Sequence, residues 1–312
     1  MYTMVLHQLI VMTLIAIGGF IFAKVSKVNN SEQKFLSKFL LYFVNICLII
    51  DSFNIEYDAE KFRRFLFAAL VALVVHGAMI FAAFLITHSK SADNRSYNHI
   101  DRVAMVFTNC GFIGIPLIKG IFGNSGVFYL MGYLTVFNIL VWTYGLYQMS
   151  GTISLKKIIT NPVIISVIAG LILFFMPFVL PEPVIRPISM IGDCNTALAM
   201  VLIGILFADF HFSKKYALRL VKSVIGRLIL CPLIALAVVY AFWAANPAVS
   251  DSRTILFVIL ICAACPSATT VPSLACLFDK DSAYASLNVS VTSLLCVFTL
   301  PAFVALAEHF IR

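Results

Sequence analysis

The chain has 312 residues, of which 62% are hydrophobic and only 12% are charged, and its mean hydropathy is +1.01. An ordinary soluble domain is about 25% charged, and a soluble fold has too little interior to bury this much apolar surface. The composition therefore excludes a cytosolic enzyme, a nucleic-acid-binding protein and a secreted disulfide scaffold, and it predicts that lipid surrounds most of the chain.

Ten apolar runs approach the length of about 20 residues that a helix needs to cross a bilayer. The second run is short, and the fourth and ninth contain helix-breaking residues. The pattern predicts an all-α integral membrane protein with ten transmembrane helices. In chain order the runs are 5–23, 35–50, 64–87, 101–119, 125–149, 162–180, 187–208, 216–245, 254–275 and 282–307.

The basic residues, which give the chain a net charge of +8, predict its orientation. Cytoplasmic loops of membrane proteins carry an excess of Lys and Arg. Fourteen such residues follow odd-numbered runs and seven follow even-numbered ones, which predicts that the odd-numbered loops are cytoplasmic and that both termini are extracytoplasmic. The fourteen lie at 24–38, 90–102, 156–157, 214–222 and 280.

An internal repeat divides the chain into two halves. Residues 109–122 align with residues 265–278 when 156 is added to the numbering, and these segments belong to the fourth and ninth runs. A tandem repeat with an odd number of spans inserts its second copy upside down, as in the inverted repeats of secondary transporters. The sequence thus predicts a 5+5 inverted repeat, with a first half at 1–150, a cytoplasmic seam at 151–160 and a second half at 161–312.

Both aligned segments contain residues that interrupt a helix. Pro116, Pro266 and Pro272 each lack a backbone donor, and Gly111 and Gly114 each lower helix propensity by about 1 kcal/mol. Unwound backbone at membrane depth must be buried or must line a wet cavity. We therefore predict two broken helices around a binding site. The alternative is a pair of proline kinks with small residues packed between helices.

Polar groups and half-helix N-termini at such breaks could hold an anionic ligand. The candidate substrate-binding residues at the breaks are Asn109, Cys110, Gly111, Pro116, Pro266, Ser267, Thr269, Thr270 and Pro272.

Ionisable residues within the spans are expensive to bury and are therefore functional candidates. Asp193, with its neighbour Asn195, is a candidate for binding a proton or a cation, and a structural cap or an ion pair is the alternative for Asp193. His76 is a second candidate for coupling, although a hydrogen-bonded packing histidine is favoured. Arg227 is expected to pair with an acid or to extend toward the cytoplasmic face. No arginine is expected near the two breaks, so helix dipoles and amides would compensate a bound charge there.

Catalytic and metal-binding motifs are missing from the sequence. The chain has no HExxH, no GxSxG and no metal-spaced histidines, and Met190 stands where the GxGD pattern of intramembrane proteases requires glycine. Cys262 and Cys265 have CxxC spacing without a second Cys or His pair. We therefore expect no enzyme activity, no cofactor and no bound metal, with the eight cysteines acting as packing residues.

Two motifs resemble the auxin efflux carrier family, which includes the plant PIN carriers and bacterial permeases for malate, malonate and similar acids. Residues 109–117 (NCGFIGIPL) with 121–124 (IFGN) resemble the signature of the family's fourth span. Residues 189–207 (SMIGDCNTALAMVLIGILF) are similar to the seventh-span pattern. The short seam matches a compact bacterial-type permease better than the plant carriers, which have a long cytoplasmic loop there.

This resemblance implies an elevator-type transporter with a scaffold domain and a transport domain. The broken fourth and ninth spans would cross near Asn109 and Pro266, the substrate carboxylate would sit at the crossing, and Asn138 would contact it from the fifth span. Members often carry a proline late in the second span, whereas residues 41–47 (LYFVNIC) have none. That difference concerns the scaffold side of the predicted pocket.

The predicted function is alternating-access transport of a small organic anion, a carboxylate, across the plasma membrane. A monoanion fits a site without arginine better than a polyanion. The expected partners are this substrate, the lipid bilayer and a coupled H+ or Na+, with no nucleic acid, and a homodimer through the scaffold domain is compatible with the resemblance. Two alternatives remain: a sodium-coupled symporter of the bile-acid-transporter type, with a cation at Asp193, Asn195, Thr269 and Thr270, and a channel or sensor that uses the same pocket.

Overall fold

The structure is a computed structural model that describes residues 2–87, 92–152, 156, 159–208, 216–245 and 248–311. Within these residues every regular element is a helix. Half of the predicted seam, at 153–155 and 157–158, lies outside the described residues. The same is true of five of the basic residues counted above, which are Lys90, Lys157, Lys214, Lys215 and Arg312.

The helices follow one another with short connections, and four of the junctions are single π-helical turns, at Leu40–Val44, Cys110–Gly114, Val141–Gly145 and Gly226–Leu230. In chain order the helices are α1 (Tyr2–Ser26), α2 (Asn30–Phe39), α3 (Asn45–Phe53), α4 (Ala59–Thr87), α5 (Ala92–Val106), α6 (Ile115–Leu140), α7 (Leu146–Ser150), α8 (Pro162–Phe174), α9 (Glu182–Asp193), α10 (Asn195–Ala208), α11 (Ala217–Ile225), α12 (Cys231–Ala244), α13 (Ser252–Ala264), α14 (Thr270–Leu277) and α15 (Ser282–Phe310).

Seven helical stretches among the described residues are long and apolar enough to cross a membrane, and α8 and α13 are shorter apolar helices. The protein is therefore an all-helical, multi-pass membrane protein. The finer count of ten spans in two inverted halves stays a prediction. The seven stretches are Tyr2–Ser26, Ser31–Phe53, Ala59–Thr87, Cys110–Ser150, Glu182–Ala208, Ala217–Ala244 and Ser282–Phe310.

The outer surface of the helices is apolar, as a lipid environment requires. Leu14 on α1, Phe81 on α4 and Phe298 on α15 are 63%, 65% and 75% exposed. In water such a surface would be unfavourable by roughly 25 cal/mol for each Å². In a bilayer the same side chains are solvated by acyl chains.

Helices α1 and α10 pack with their backbones in direct contact. A Cβ atom built on Gly19 would overlap the carbonyl of Val201, and one built on Gly204 would overlap the carbonyl of Ala16. Small residues permit this close approach between membrane helices, where packing rather than the hydrophobic effect drives association.

Both predicted interruptions are present, but they begin earlier in the chain than most of the helix-breaking residues suggested. The chain is non-helical from Phe107 to Asn109, between α5 and the following π-helical turn, and again from Cys265 to Thr269, between α13 and α14. Pro272 lies in the first turn of α14, where a missing N–H leaves no helical hydrogen bond unmade, so it begins a helix instead of breaking one. Pro116 follows the π-helical turn Cys110–Gly114 as the second residue of α6, so the chain is helical on both sides of it and the interruption lies before that turn.

A third irregular point separates the predicted fourth and fifth runs. Gly123 has φ 63° and ψ −157° inside α6, a conformation that side chains strongly disfavour. The stretch Cys110–Ser150 is 41 residues long, more than a single crossing needs, and it changes direction at this glycine.

Candidate functional site

The two non-helical segments cross and are hydrogen-bonded to each other through their backbones. The N–H of Asn109 donates to the carbonyl of Pro266 at 2.7 Å, and the N–H of Ala268 donates to the carbonyl of Phe107 at 2.9 Å. Thr108 and Ser267 thereby form an isolated antiparallel bridge. This pairing satisfies main-chain groups that lipid would leave without partners.

Ser267 is held by two buried polar side chains of α15 and by a carbonyl of α5. Its Oγ donates to the carbonyl of Ala104 at 2.8 Å and lies 3.1 Å from Oδ1 of Asn288, while its N–H donates to Oγ1 of Thr292 at 3.2 Å. Asn288 in turn donates from Nδ2 to Oγ of Ser223 at 2.5 Å. The network connects the second break to α5, α11 and α15, so it fixes the position of the crossing.

Arg227 lies against the same crossing and is completely buried. Its Nη1 donates to the carbonyl of Met105 at 2.6 Å and more weakly to that of Val106 at 3.4 Å, and its Nη2 donates to the carbonyl of Ala263. The prediction that Arg227 pairs with an acid or extends to the membrane surface is wrong, and so is the expectation that no arginine lies near the breaks. The C-terminal carbonyls of α5 and α13 hold it, because they are the unpaired acceptors that a half-helix leaves.

A cavity of about 980 Å³ opens beside the crossing. It is lined by the first break at Thr108 and Asn109, by the start of the second half-helix at Thr269 and Thr270, and by apolar side chains from surrounding helices. Its charged lining residues, within the described part of the chain, are Lys34 and Lys38, both exposed, and none of them is acidic. The cavity thus offers amides, hydroxyls and positive charge.

Six of the ten predicted binding residues line this cavity, namely Asn109, Gly111, Asn138, Thr269, Thr270 and Pro272. The other four are not among its lining residues. Pro266 contributes only its carbonyl to the bridge, and Ser267 bonds to α5. Cys110 and Pro116 lie within the helical turns that follow the first break.

The lining amides and hydroxyls retain unused hydrogen-bonding capacity. Oδ1 of Asn109 accepts from the N–H of Phe112 at 3.3 Å and caps the helical turn, so its NH₂ group is the part that remains for a ligand. Asn138 donates to the carbonyl of Leu134 at 2.8 Å, which leaves its oxygen. The Oγ1 of Thr270 and the Oδ1 of Asn45 are buried without a hydrogen-bond partner.

The predicted coupling residues do not lie in the cavity lining. Asp193 ends α9 and forms an ion pair of 2.6 Å with Lys119 of α6. Asn195 is buried, and both polar atoms of its side chain lack partners. His76 is fully buried; its Nδ1 donates to the carbonyl of Ala72 at 2.8 Å and its ring packs 4.8 Å from that of Tyr133. The arrangement matches the packing role favoured for His76, and a coupling role for these residues stays untested.

Several residues of the site were not predicted from the sequence. Asn45, Arg227 and Asn288 are polar residues in apolar runs, and that signal was visible for each. A polar residue in an apolar run does not indicate which residue it bonds to, and the contacts of Arg227 and Asn288 are with residues distant in the chain. The cavity wall also includes three serines at intervals of three to four residues on one face of α15, which are Ser286, Ser290 and Ser293.

Comparison with known proteins covers nearly the whole chain. A model of the family described as membrane transport protein matches residues 4–154 and residues 147–304. A search of curated proteins found no match.

Proposed function

Because the chain belongs to the membrane transport protein family of the auxin efflux carriers, we propose that it carries a small organic anion, a carboxylate, by alternating access with the anion bound at the crossing. The chain is a membrane transporter and not an enzyme. The proposal includes the fold that the family resemblance implies, in which ten spans form two inverted halves and a transport domain slides against a scaffold.

The observation that carries this proposal is the chemistry of the cavity beside the crossing. Backbone N–H groups at a helix N-terminus favour an anion, and two such starts, the turn at Cys110–Gly114 and helix α14, contribute Gly111 and Thr270 to the lining. Lys34 and Lys38 at the surface would raise the local concentration of anions. None of the described lining residues is acidic, so no side-chain charge among them repels a carboxylate.

The remaining wall suits an apolar body attached to the carboxylate. Phe112, Phe137 and Trp142 line the cavity together with aliphatic side chains. Binding sites for small molecules combine such walls with a few placed polar groups. We therefore expect carboxylates with an apolar portion to bind more tightly than small hydrophilic ones.

The direction in which the cavity opens supports an inward-facing state. It reaches exposed residues at Lys34, Lys38 and Thr160, which adjoin loops that the distribution of Lys and Arg assigns to the cytoplasm. In this proposal the protein lies in the plasma membrane with both termini outside, and the anion enters from the cytoplasm.

Counterflow in proteoliposomes tests the function. Purified protein is reconstituted with a trapped carboxylate from a panel of mono- and dicarboxylates, and uptake of the same labelled compound is followed. A carrier accumulates label by exchange, whereas a channel or a passive sensor does not. Absence of counterflow with every carboxylate of the panel would overturn the proposal.

The site is tested by Asn109→Ala, with Asn124→Ala as the matched control. Asn109 lines the cavity and Asn124 is an exposed residue of α6 outside it. Loss of a ligand hydrogen bond of about 1.5–3 kcal/mol to a charged group is expected to reduce uptake at least tenfold for Asn109→Ala and to leave Asn124→Ala unchanged. Normal uptake by a folded Asn109→Ala variant would remove Asn109 from the site.

Sodium coupling is the rival arrangement, and Thr270 is the observation that favours it, because its buried hydroxyl has no partner. Ligand-induced thermal stabilisation, measured in sodium and in choline buffers, separates the two. Equal stabilisation in both buffers favours a proton-coupled or uncoupled carrier, and stabilisation that requires sodium favours the symporter.

A further inference from the structure

The buried guanidinium of Arg227 joins the ends of two helices that the chain separates widely. Its donors reach the last carbonyls of α5, at Met105 and Val106, and that of Ala263 in the last turn of α13. Each helix C-terminus carries about −0.5 of an elementary charge. Two such ends meeting at one point would place about one negative charge beside a cavity that has to receive an anion.

No carboxylate among the described residues forms an ion pair with Arg227. A buried charge without a charged partner is strongly unfavourable unless dipoles compensate it. Here the two C-terminal ends supply that compensation, and the guanidinium in turn cancels them. The N-terminal partial charges of the turn at Cys110–Gly114 and of α14 then remain uncancelled toward the cavity.

We propose that Arg227 is a positioning residue that neutralises the negative ends of α5 and α13 and thereby gives the crossing a positive potential on its cavity side. It is not among the residues that line the cavity, so it acts through the helix ends without touching a ligand. The inference rests on the proposed transport of an anion, and it explains how an anion tolerates two helix C-termini nearby.

The local backbone is shaped for this contact. Arg227 lies in the π-helical turn Gly226–Leu230, and such turns are found frequently at functional sites. A Cβ on Gly226 would overlap the side chain of Met105, so the turn that follows α11 approaches the end of α5 closely here. The planar fork of arginine reaches carbonyls of two different helices at once, a geometry that the ammonium of lysine does not reproduce.

Charged thiol reagents measure this potential without any knowledge of the substrate. A cysteine at Gly111 reports on the crossing, since a Cβ there meets no atom within 4 Å and the residue lines the cavity. A cysteine at Ser37 reports on the mouth. Both are introduced into a background in which Cys47, Cys194 and Cys276 are serine, because the other native thiols are buried.

Two reagents are compared at each cysteine, the anionic sulfonatoethyl and the cationic trimethylammonioethyl methanethiosulfonate. The quantity measured is the reaction rate with the anion divided by the reaction rate with the cation. At an effective dielectric constant of about 20, a unit charge about one helix diameter away, roughly 12 Å, changes the local concentration of a monovalent ion about tenfold. We therefore expect Arg227→Gln to lower the ratio at Gly111→Cys by about 100-fold. Arg227→Lys should keep it within about threefold of the parent, because a purely electrostatic role is rescued by a lysine charge.

The reporter at Ser37→Cys separates this effect from a general disturbance. It lies beside Lys34 and Lys38, so its ratio should change less than about threefold in Arg227→Gln. An unchanged ratio at Gly111→Cys in folded Arg227→Gln protein, or an equal fall at both reporters, would overturn the proposal.

A second measurement leaves Arg227 in place and does not depend on folding of the glutamine variant. With Lys34→Gln and Lys38→Gln, the ratio at Gly111→Cys should still exceed that of a free thiol in solution at least about fivefold, because Arg227 neutralises the ends of α5 and α13 and the N-terminal partial charges of the turn at Cys110–Gly114 and of α14 stay uncancelled toward the cavity. A ratio equal to that of the free thiol would contradict the proposal. Neither measurement involves transport. If the protein shows no counterflow but the rate ratios at Gly111→Cys are as expected, the proposed function is refuted and the role of Arg227 is not.

Discussion

The ammonium group of Lys119 lies 2.6 Å from Oδ1 of Asp193 and joins α6 to the end of α9. Lys119 follows the first break by ten residues, and Asp193 lies outside the cavity lining. The side chain of Asp193 is 63% exposed. We expect α6 and α9 to lie in different domains of the proposed elevator, so that the ion pair breaks in each transport cycle.

Charge reversal at Asp193 tests whether this pair is a contact between moving parts. Asp193→Lys places two cations side by side, a repulsion of about 1 to 4 kcal/mol at 4 Å depending on the effective dielectric constant. We expect uptake to fall at least fivefold. The swapped variant, with Lys119→Asp and Asp193→Lys, restores the attraction and should recover at least half of the parent rate in the same counterflow assay.

Thermal stability provides the control for this swap. An exposed ion pair contributes about 0–1 kcal/mol, so Asp193→Asn should leave the Tm nearly unchanged. If the swapped variant transports no better than Asp193→Lys, the ion pair of Lys119 and Asp193 is not a contact between moving parts, and the carboxylate of Asp193 is then better explained as a site for the coupled ion.

Alanine substitutions at two adjacent glycines of α1 are expected to have opposite effects on stability. A Cβ on Gly19 would overlap the backbone of Val201, whereas one on Gly18 meets nothing within 4 Å. Gly19→Ala should therefore separate α1 from α10 and destabilise the protein by about 1–3 kcal/mol. Gly18→Ala should be neutral or stabilising by up to about 1 kcal/mol through helix propensity. Thermal unfolding in detergent measures both, and equal Tm values for the two variants would contradict the close contact.

Asn288 is expected to be a stability residue of the crossing. It is completely buried and bonds to Ser267 and Ser223. Asn288→Ala removes the donor to Ser223, whereas Ser267 keeps its bond to the carbonyl of Ala104, so the expected loss is about 1–3 kcal/mol for the buried group that finds no other partner. We expect a clear fall in Tm, measured without ligand. An unchanged Tm would mean that the network does not hold the second break in place.

Asn45, unlike Asn288, is expected to matter for activity and not for stability. Its Oδ1 is buried without a partner in the cavity wall, and removing an unsatisfied polar atom is neutral or stabilising. Asn45→Leu should therefore keep or raise the Tm. It should also lower carboxylate uptake at least tenfold, because it removes the amide NH₂ group, the part of Asn45 that can donate to a carboxylate. Full uptake by this variant would show that Asn45 does not contact the substrate.

The helical membrane fold was predictable because it depends on composition and on the length of apolar runs. The two interruptions were also predictable, since glycine and proline mark them locally. Their position was not, because Pro116 and Pro272 favour a helix start as much as a helix break. The distinction depends on the facing segment, here the bridge between Thr108 and Ser267, which no local pattern contains.

The position of Arg227 at the crossing could not be predicted for a related reason. Arg227 contacts Met105, a residue 122 positions away in the sequence, and its partners are backbone carbonyls, which carry no sequence signal. A search for a carboxylate partner therefore finds none. Asn109, by contrast, was predictable because it directly precedes the helical turn that it caps.

The two hydrogen bonds that pair the broken segments join main-chain atoms. The bonds from Asn109 to Pro266 and from Ala268 to Phe107 use N–H and carbonyl groups, and almost every amino acid supplies these. Side chains that line the cavity without holding the crossing can therefore be exchanged while these two bonds remain. In evolutionary terms, ligand preference can drift at this point while the architecture persists, so relatives with the same crossing are free to differ widely in what they carry.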